Sequence, residues 1–554
     1  MMQRTLIRAF DQLADAPGGV AKLRELVLQL AVRGQLVDAQ NADTSWQAQV
    51  LADKSRGING QKLKRHPVTT DRADEDLPFH LPSHWLPMRL GDLVYSCPTS
   101  YGENPTSELP TAGVITVGNI DNSSFFKGNF SPRSFPADEF SELVARAGDL
   151  VVVKSSGSAE NVHSGKTALC RTEHDGKIVG SNFVMRLRAF GDSVLPEYLW
   201  RVMSSRTSRA WVEKTVQTMT YPNLKWSDYA QLPIGLPSPA EQARIVAKVD
   251  ELMALCDALE ARQTTRNEAR RRLHAATLHH VTGARSPSEL AANWSRLRTH
   301  FDPLHATPDS IHALRQTVLQ LAIQGRLATQ NAADNAPPEA ERAGDWEPED
   351  LYPLPVKWQW YRLDQIGEWA IGGGFPTAEQ GHTDRPILFA KVSDMNLPGN
   401  EKWIRTANNS IDEATAKRLR VKVHPPGTVI FPKIGGAIAT NKRRITTKPT
   451  AIDNNCLGLI PRKVCGTDWL FLLLTGLYFA QYQSGTSVPA LSQGTLGAIT
   501  VGLPPLAEQE RIVAKAEELL ALCDELETRL KDADARRERL LTAAIHDVLS
   551  AVRC

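Results

Sequence analysis

Pro239-Ala-Glu241-Gln242-Ala-Arg244-Ile245-Val246-Ala247-Lys248, continuing to Leu255-Cys256-Asp257, returns 267 residues later as Leu506-Ala-Glu508-Gln509-Glu-Arg511-Ile512-Val513-Ala514-Lys515 and Leu522-Cys523-Asp524. This period lies far outside the roughly 20 to 50 residues of solenoids and propellers, so it marks a duplicated domain-plus-helix unit. Two similar halves predict a pseudo-two-fold molecule and suit a target with two parts. Each run enters through a proline-rich turn and reads as a long helix. Ile245, Val249, Leu252, Cys256 and Leu259 fall at alternating steps of four and three, as do Ile512, Ala516, Leu519, Cys523, Leu526 and Leu530. That spacing is a heptad seam, although Gln263, Arg266 and Arg270 interrupt it later in the first copy.

Charge orients the pair. Residues 241–260 carry a net charge of −3 and 261–280 one of +4; residues 508–527 carry −5 and 528–546 carry +2. Parallel packing would set like charges side by side, whereas antiparallel packing sets acidic halves against basic ones. An antiparallel two-helix coiled coil is therefore expected, with a helical hairpin packed inside a larger core as the alternative.

Working outward, Leu23-Arg24, Val27-Leu-Gln-Leu-Ala-Val32 and Gly34 reappear as Leu314-Arg315, Val318-Leu-Gln-Leu-Ala-Ile323 and Gly325. Each is a short helix with glycine as its C-cap, followed by a polar linker. Leu81-Pro-Ser-His-Trp85 and Leu354-Pro-Val-Lys-Trp358 then open segments of short β-branched runs broken by Gly, Pro, Ser and Asn. Leu150–Lys154 and Val429–Lys433 read as matching strands, and Pro196–Trp200 and Asp468–Leu473 as helices packed on each sheet. The fold class is α+β: two mainly β domains separated by a long antiparallel two-helix coiled coil. The expected boundaries are 1–80, helical region and linker; 81–236, first β domain; 237–283, first long helix; 284–353, helical repeat and linker; 354–503, second β domain; and 504–554, second long helix.

The 554 residues exceed what one core holds, and the net charge is only +2. Nucleic-acid binding, if present, must rely on local patches or on a partner. Seven cysteines stand without metal-ligand spacing, which fits a reducing cytoplasm, and Leu26–Val32 is too short to span a bilayer. Gly165-Lys166-Thr167 lacks the first glycine of a phosphate loop, since Glu160 stands there, and a strand-like run follows it. Gly372-Gly-Gly lacks dinucleotide spacing. No catalytic or metal motif is visible.

Basic residues recur at comparable places in the two β domains. Lys154, Ser155, Ser156 and Lys166 occupy turns in the first; Lys433, Asn441, Lys442, Arg443, Arg444 and Lys448 do so in the second. Such residues supply phosphate contacts and can reach base edges; solvated loops are the alternative. Tyr221-Pro-Asn223-Leu224, matched by Val488-Pro-Ala-Leu491, reads either as further DNA contact or as a turn packing its leucine into the core.

Together, the two Leu-Pro-x-x-Trp entries, the two Ala-Glu-Gln-x-Arg-Ile-Val helices and the run from Gly427 through Arg444 to Asp453-Asn-Asn455 resemble the specificity subunits of type I restriction-modification enzymes. The resemblance spans nearly the whole chain. It implies two target recognition domains, each reading half of a split sequence in double-stranded DNA, joined by helices that fix the gap. It also implies two modification subunits docked on those helices, which carry S-adenosylmethionine and methylate adenine, and restriction/translocase subunits using ATP and Mg. This cytoplasmic chain itself would hold no cofactor and no metal and perform no catalysis. Glu241, Gln242 and Arg244, with Glu508, Gln509 and Arg511, are expected to bind the partners, and the repeated Leu-Gln-Leu-Ala helices to add docking surface. A protein-binding scaffold without DNA contact is the competing reading.

Overall fold

The structure is a computed structural model that describes residues 14–38, 45–59, 73–121, 123–155, 157–158, 161–216, 222–338, 354–485 and 488–550. The chain divides into two compact units, one of residues 1–266 with 534–554 and one of residues 267–533. Each contains a β domain, a short helix, the start of one long helix and the end of the other.

In the first unit, strands Val94–Cys97, Val184–Ala189, Leu150–Val153 and Thr167–Leu169 form an antiparallel sheet in that order. A smaller sheet orders Ser131–Ser134, Thr111–Ile115 and Ile178–Gly180. In the second unit the main sheet runs Gly367–Ile371, Cys456–Pro461, Val429–Pro432, Arg444–Thr446, Trp403–Ile404, with only the last pair parallel. Its smaller sheet, Ser410–Ile411, Ile387–Ala390 and Thr450–Ile452, repeats the antiparallel-then-parallel order of the first. Each domain is closed where the chain enters and leaves it: Leu86–Arg89 pairs with Pro233–Leu236, and Gln359–Arg362 with Thr500–Leu503.

The long helices span Pro239–Gly283 and Leu506–Ser550, 45 residues each. The seam residues Ile245, Val249, Leu252, Cys256 and Leu259 are all buried, as are Ile512, Ala516 and Cys523. In the first unit the short helix Gly19–Val32 reveals their sense. Asp15 meets Arg266 and Arg24 meets Asp257 and Glu260, so it runs against the first long helix. Lys22 meets Glu538 and Arg33 donates to Leu549 O, so it runs along the second. The long helices are therefore antiparallel, as the charge gradient predicts. The ion pairs differ from that prediction, however, because some acids of each helix's first half are met by short-helix arginines and others, Asp250 and Glu517, by Arg201 and Lys402. Arg24 bridges Asp257 and Glu260, and Arg315 bridges their counterparts Asp524 and Glu527. The polar interruption of the seam also finds partners on the N-terminal segment, where Gln263 donates to Ala14 O at 2.8 Å.

The short helices Gly19–Val32 and Pro308–Ile323 bury Leu23, Leu26, Val27 and Leu30, and Leu314, Val318, Leu319 and Ala322. Their apolar faces are consumed within their own units, against Pro196–Met203 and Thr467–Gly476, and are not free to dock. Each ends as the sequence predicts. Gln35 N donates to Leu30 O and Arg326 N to Leu321 O, across Gly34 and Gly325 at φ +68°. In the second unit, His274 and His305 lie edge to face at 5.0 Å, with both Nε2 atoms buried and without partners.

Candidate nucleic-acid interface

The strand Leu150–Val153 delivers Lys154 into a turn because its four residues are wholly buried and the chain then meets the segment before residue 226. Leu224 N donates to Lys154 O at 2.8 Å, and Ser155 bridges Asn223. Leu224 and its counterpart Leu491 are buried, so this stretch is the core-packing turn. Beyond Ser155 the chain forms a small hairpin, Gly157–Ser158 against Asn161–Val162, and returns through a turn to Lys166. Thr167–Leu169 is strand, consistent with the absence of a phosphate loop. Ser156 and Tyr221 lie outside the described residues.

Burial, then the neighbouring cations Arg209 and Lys127, hold the Lys166 ammonium below its usual pKa, with Asp121 opposing. His163 is lowered by burial and by Lys166 and Arg209. Lys166 and Lys127 form a cationic patch that a phosphate oxygen would relieve, while Arg209 adds its field from behind with its own donors engaged by Ser164 O and Val162 O. Phe183 accepts from Lys154 N through its carbonyl at 2.9 Å and is exposed. Lys127 and Arg209 are distant in sequence from Lys166, and only the fold gathers them.

The second domain repeats the frame and changes the loop. Lys433 accepts from Leu491 N and donates from its own N–H to Asn455 O, both at 2.9 Å. A 3-10 turn, Gly435–Thr440, replaces the hairpin, and it ends at Asn441 with φ +51°. Of the basic cluster expected to contact DNA, the middle arginine is buried. Arg443 is 3% exposed, 4.1 Å from the Phe479 ring centroid and 5.1 Å from that of Phe431. It donates to Leu474 O at 3.0 Å and Lys442 O at 2.9 Å, and burial pushes its guanidinium down to about 9. Such a group cannot meet a phosphate without leaving its pocket. Asn441 is also engaged, donating to Thr475 O (2.9 Å) and accepting from Arg443 (2.8 Å). Arg444 is half-buried with two donors on Met395 O; Lys442 bonds Asn396. Lys448 is exposed and Lys433 half-buried.

The residues expected to bind partners are mostly internal. Glu241, Gln242, Glu508 and Gln509 are each at most 4% exposed. Trp85 Nε1 donates to Glu241 Oε1 and Trp358 Nε1 to Glu508 Oε1, both at 3.1 Å. Gln242 accepts from Leu195 N and donates to Ser193 O and Pro237 O; Gln509 accepts from Gly466 N and donates to Val464 O and Pro504 O. The Glu-Gln pair thus bolts each long helix to the β domain before it, and its side chains are not available for docking. Arg511 bonds Asp334 at 2.5 Å, and Arg244 is half-buried.

Residues 355–533 match the type I restriction modification DNA specificity domain. Over 95% of this chain and 93% of theirs, the specificity subunits of the Escherichia coli type I restriction enzymes EcoEI and EcoAI are 24% and 25% identical to it. The chain is similar to these type I restriction specificity subunits along nearly its whole length. A chain solved in work on complex assembly and conformational transition of the type I R-M system shares the fold of this protein. It has 20% identity and a TM-score of 0.54, covering 85% of this chain and 99% of that one. Among the described residues, no helix is long and apolar enough to cross a membrane, and no cluster of three His, Cys, Asp or Glu residues is placed to hold a metal.

Proposed function

We propose that each recognition domain reads one half of a split DNA target and that the long helices set the distance between the halves. The observation that carries this reading is the contrast between a frame repeated bond for bond and loops that differ. Arg24 and Arg315 make the same pair of ion pairs, and Gln242 and Gln509 the same three hydrogen bonds. Between those fixed points, a hairpin in one domain stands where a 3-10 turn stands in the other. A 45-residue helix is about 67 Å long at about 1.5 Å per residue, more than one turn of duplex DNA. Two modification subunits dock on these helices, bind S-adenosylmethionine and methylate adenine, while restriction subunits use ATP and Mg. This chain supplies specificity without catalysis. Its net charge of +2 suits a protein whose partners provide much of the DNA clamp.

The test is to reconstitute the chain with its modification subunit and map methylated adenines along genomic DNA. Two different half-sites at one fixed spacing are expected. Methylation without a two-part motif overturns the reading, and assembly without salt-dependent DNA binding favours a protein scaffold. Adding one heptad to both helices lengthens each by about 10 Å, which should widen the gap by about three base pairs.

A further inference from the structure

Each basic loop is fastened by an arginine that donates chiefly to backbone carbonyls, with Asn441 Oδ1 a further acceptor for Arg443. In the first domain Arg209, on the helix Arg206–Val216, donates from Nη1 to Ser164 O and from Nη2 to Val162 O, the latter at 2.8 Å. Glu213 on the same helix pairs with Arg206 instead, at 3.3 Å. The turn held this way is tightly seated. Ser164 is fully buried and donates to Pro222 O at 3.0 Å. Gly165, at φ +82°, lies so close to the helix that a Cβ would stand 2.9 Å from Val212 Cγ2. The hairpin Gly157–Ser158/Asn161–Val162 runs directly into this turn, and Lys166 leaves it.

In the second domain the direction is reversed. Arg443 belongs to the loop and reaches Leu474 O near the C-terminus of the helix Thr467–Gly476, while Asn441 bonds Thr475 O beside it. That helix end carries partial negative charge, which suits a guanidinium without a carboxylate. A planar fork with several fixed donors holds two carbonyls in one relation, which the single rotatable ammonium of lysine cannot do.

We infer that Arg209 and Arg443 are positioning residues for DNA specificity, each fixing the reading loop of its own domain without touching DNA. The inference rests on the recognition reading above. Base readout needs side chains placed to within a fraction of an ångström, so loosening one fastener should blur one half-site and spare the other.

The experiment uses the reconstituted complex with Arg209→Lys and, separately, Arg443→Lys, mapping methylated adenines and comparing matched with mismatched sites. For Arg209→Lys, discrimination should fall about tenfold at one or more positions of one half-site, with the other half and the gap unchanged. Arg443→Lys should do the same at the opposite half. Hydrogen exchange should quicken in residues 161–166 for the first variant and 441–444 for the second. Intact discrimination in both variants overturns the inference, as does equal blurring of both halves by one variant, or uniform loss of methylation with the motif unchanged. Should one variant fail to fold, the other carries the same test in the other half-site. A wild-type complex with no two-part motif would sink the recognition reading itself, whereas a wild-type motif unaltered by both variants sinks only the fasteners.

Discussion

Replacing Gln242 by alanine should loosen the first long helix from the domain before it, and Gln509→Ala should do the same in the second unit. Gln242 is wholly buried and makes three hydrogen bonds, at 2.8 Å from Leu195 N, 3.1 Å to Ser193 O and 2.9 Å to Pro237 O. Gln509 makes its three at 2.8, 3.0 and 2.9 Å. Each such bond contributes about 1 kcal/mol net, and a buried N–H left without a partner costs about 1 to 3 kcal/mol, so each substitution should cost about 3 kcal/mol. Hydrogen exchange measured by mass spectrometry is the direct assay. About 3 kcal/mol corresponds to exchange roughly a hundredfold faster at residues 193–195 for one variant and 464–466 for the other, where local opening governs exchange. A Gln→Met variant of similar volume separates lost polarity from lost packing and should behave nearly as badly. The reasoning fails if either alanine variant accelerates exchange less than about threefold, or if the penalty spreads to the unit that keeps its glutamine.

Burial holds the Glu508 carboxyl above its usual 4.5, against the opposing bond from Trp358. The folded state therefore prefers the protonated acid, so this contribution is full below pH 4.5 and lost as pH rises through the raised value. Glu508→Gln, which keeps an oxygen for Trp358, should match or exceed wild-type stability in urea at pH 8, with the gain vanishing toward pH 4; a clear loss at pH 8 would contradict this. Burial, then His305, holds His274 down at about 4. Its neutral form stabilises the fold fully above pH 6.5, and about 3 kcal/mol is lost as pH falls to 4, so His274→Leu should flatten the acid limb of an unfolding profile. Gly34→Ala and Gly325→Ala each place a methyl at φ +68° into a proline ring, Pro82 or Pro355, and should each lower stability by more than about 2 kcal/mol in thermal melts.

Much of the frame is legible in the sequence because it rests on local patterns. The seam at Ile245–Leu259, the capping glycines Gly34 and Gly325 and the strands before Lys154 and Lys433 depend on periodicity and turn chemistry. Antiparallel sense followed from charge even though Arg24 and Arg315 take the acids, because the net sign of each half-helix does not depend on which cation answers it. The side chains that read least well are those whose meaning depends on burial. Identity of Glu241-Gln242 with Glu508-Gln509 follows equally from a shared partner and a shared internal bond, and the structure shows the bond. In Lys442-Arg443-Arg444 nothing local tells that the middle arginine faces two phenylalanines and a helix end. The match of Arg24 with Arg315 was visible in the repeat; their acidic partners, more than 200 residues away in each case, were not.

The antiparallel pairs Leu86–Arg89 with Pro233–Leu236 and Gln359–Arg362 with Thr500–Leu503 bring the two ends of each recognition domain together. A segment whose ends meet is a detachable cassette: its interior can lengthen, shorten or be exchanged wholesale while the endpoints seen by the rest of the chain stay where they were. Loop closure at a fixed gate costs little more for a long insert than a short one. A new reading surface can therefore be installed in one half while the helices and the other half keep their geometry.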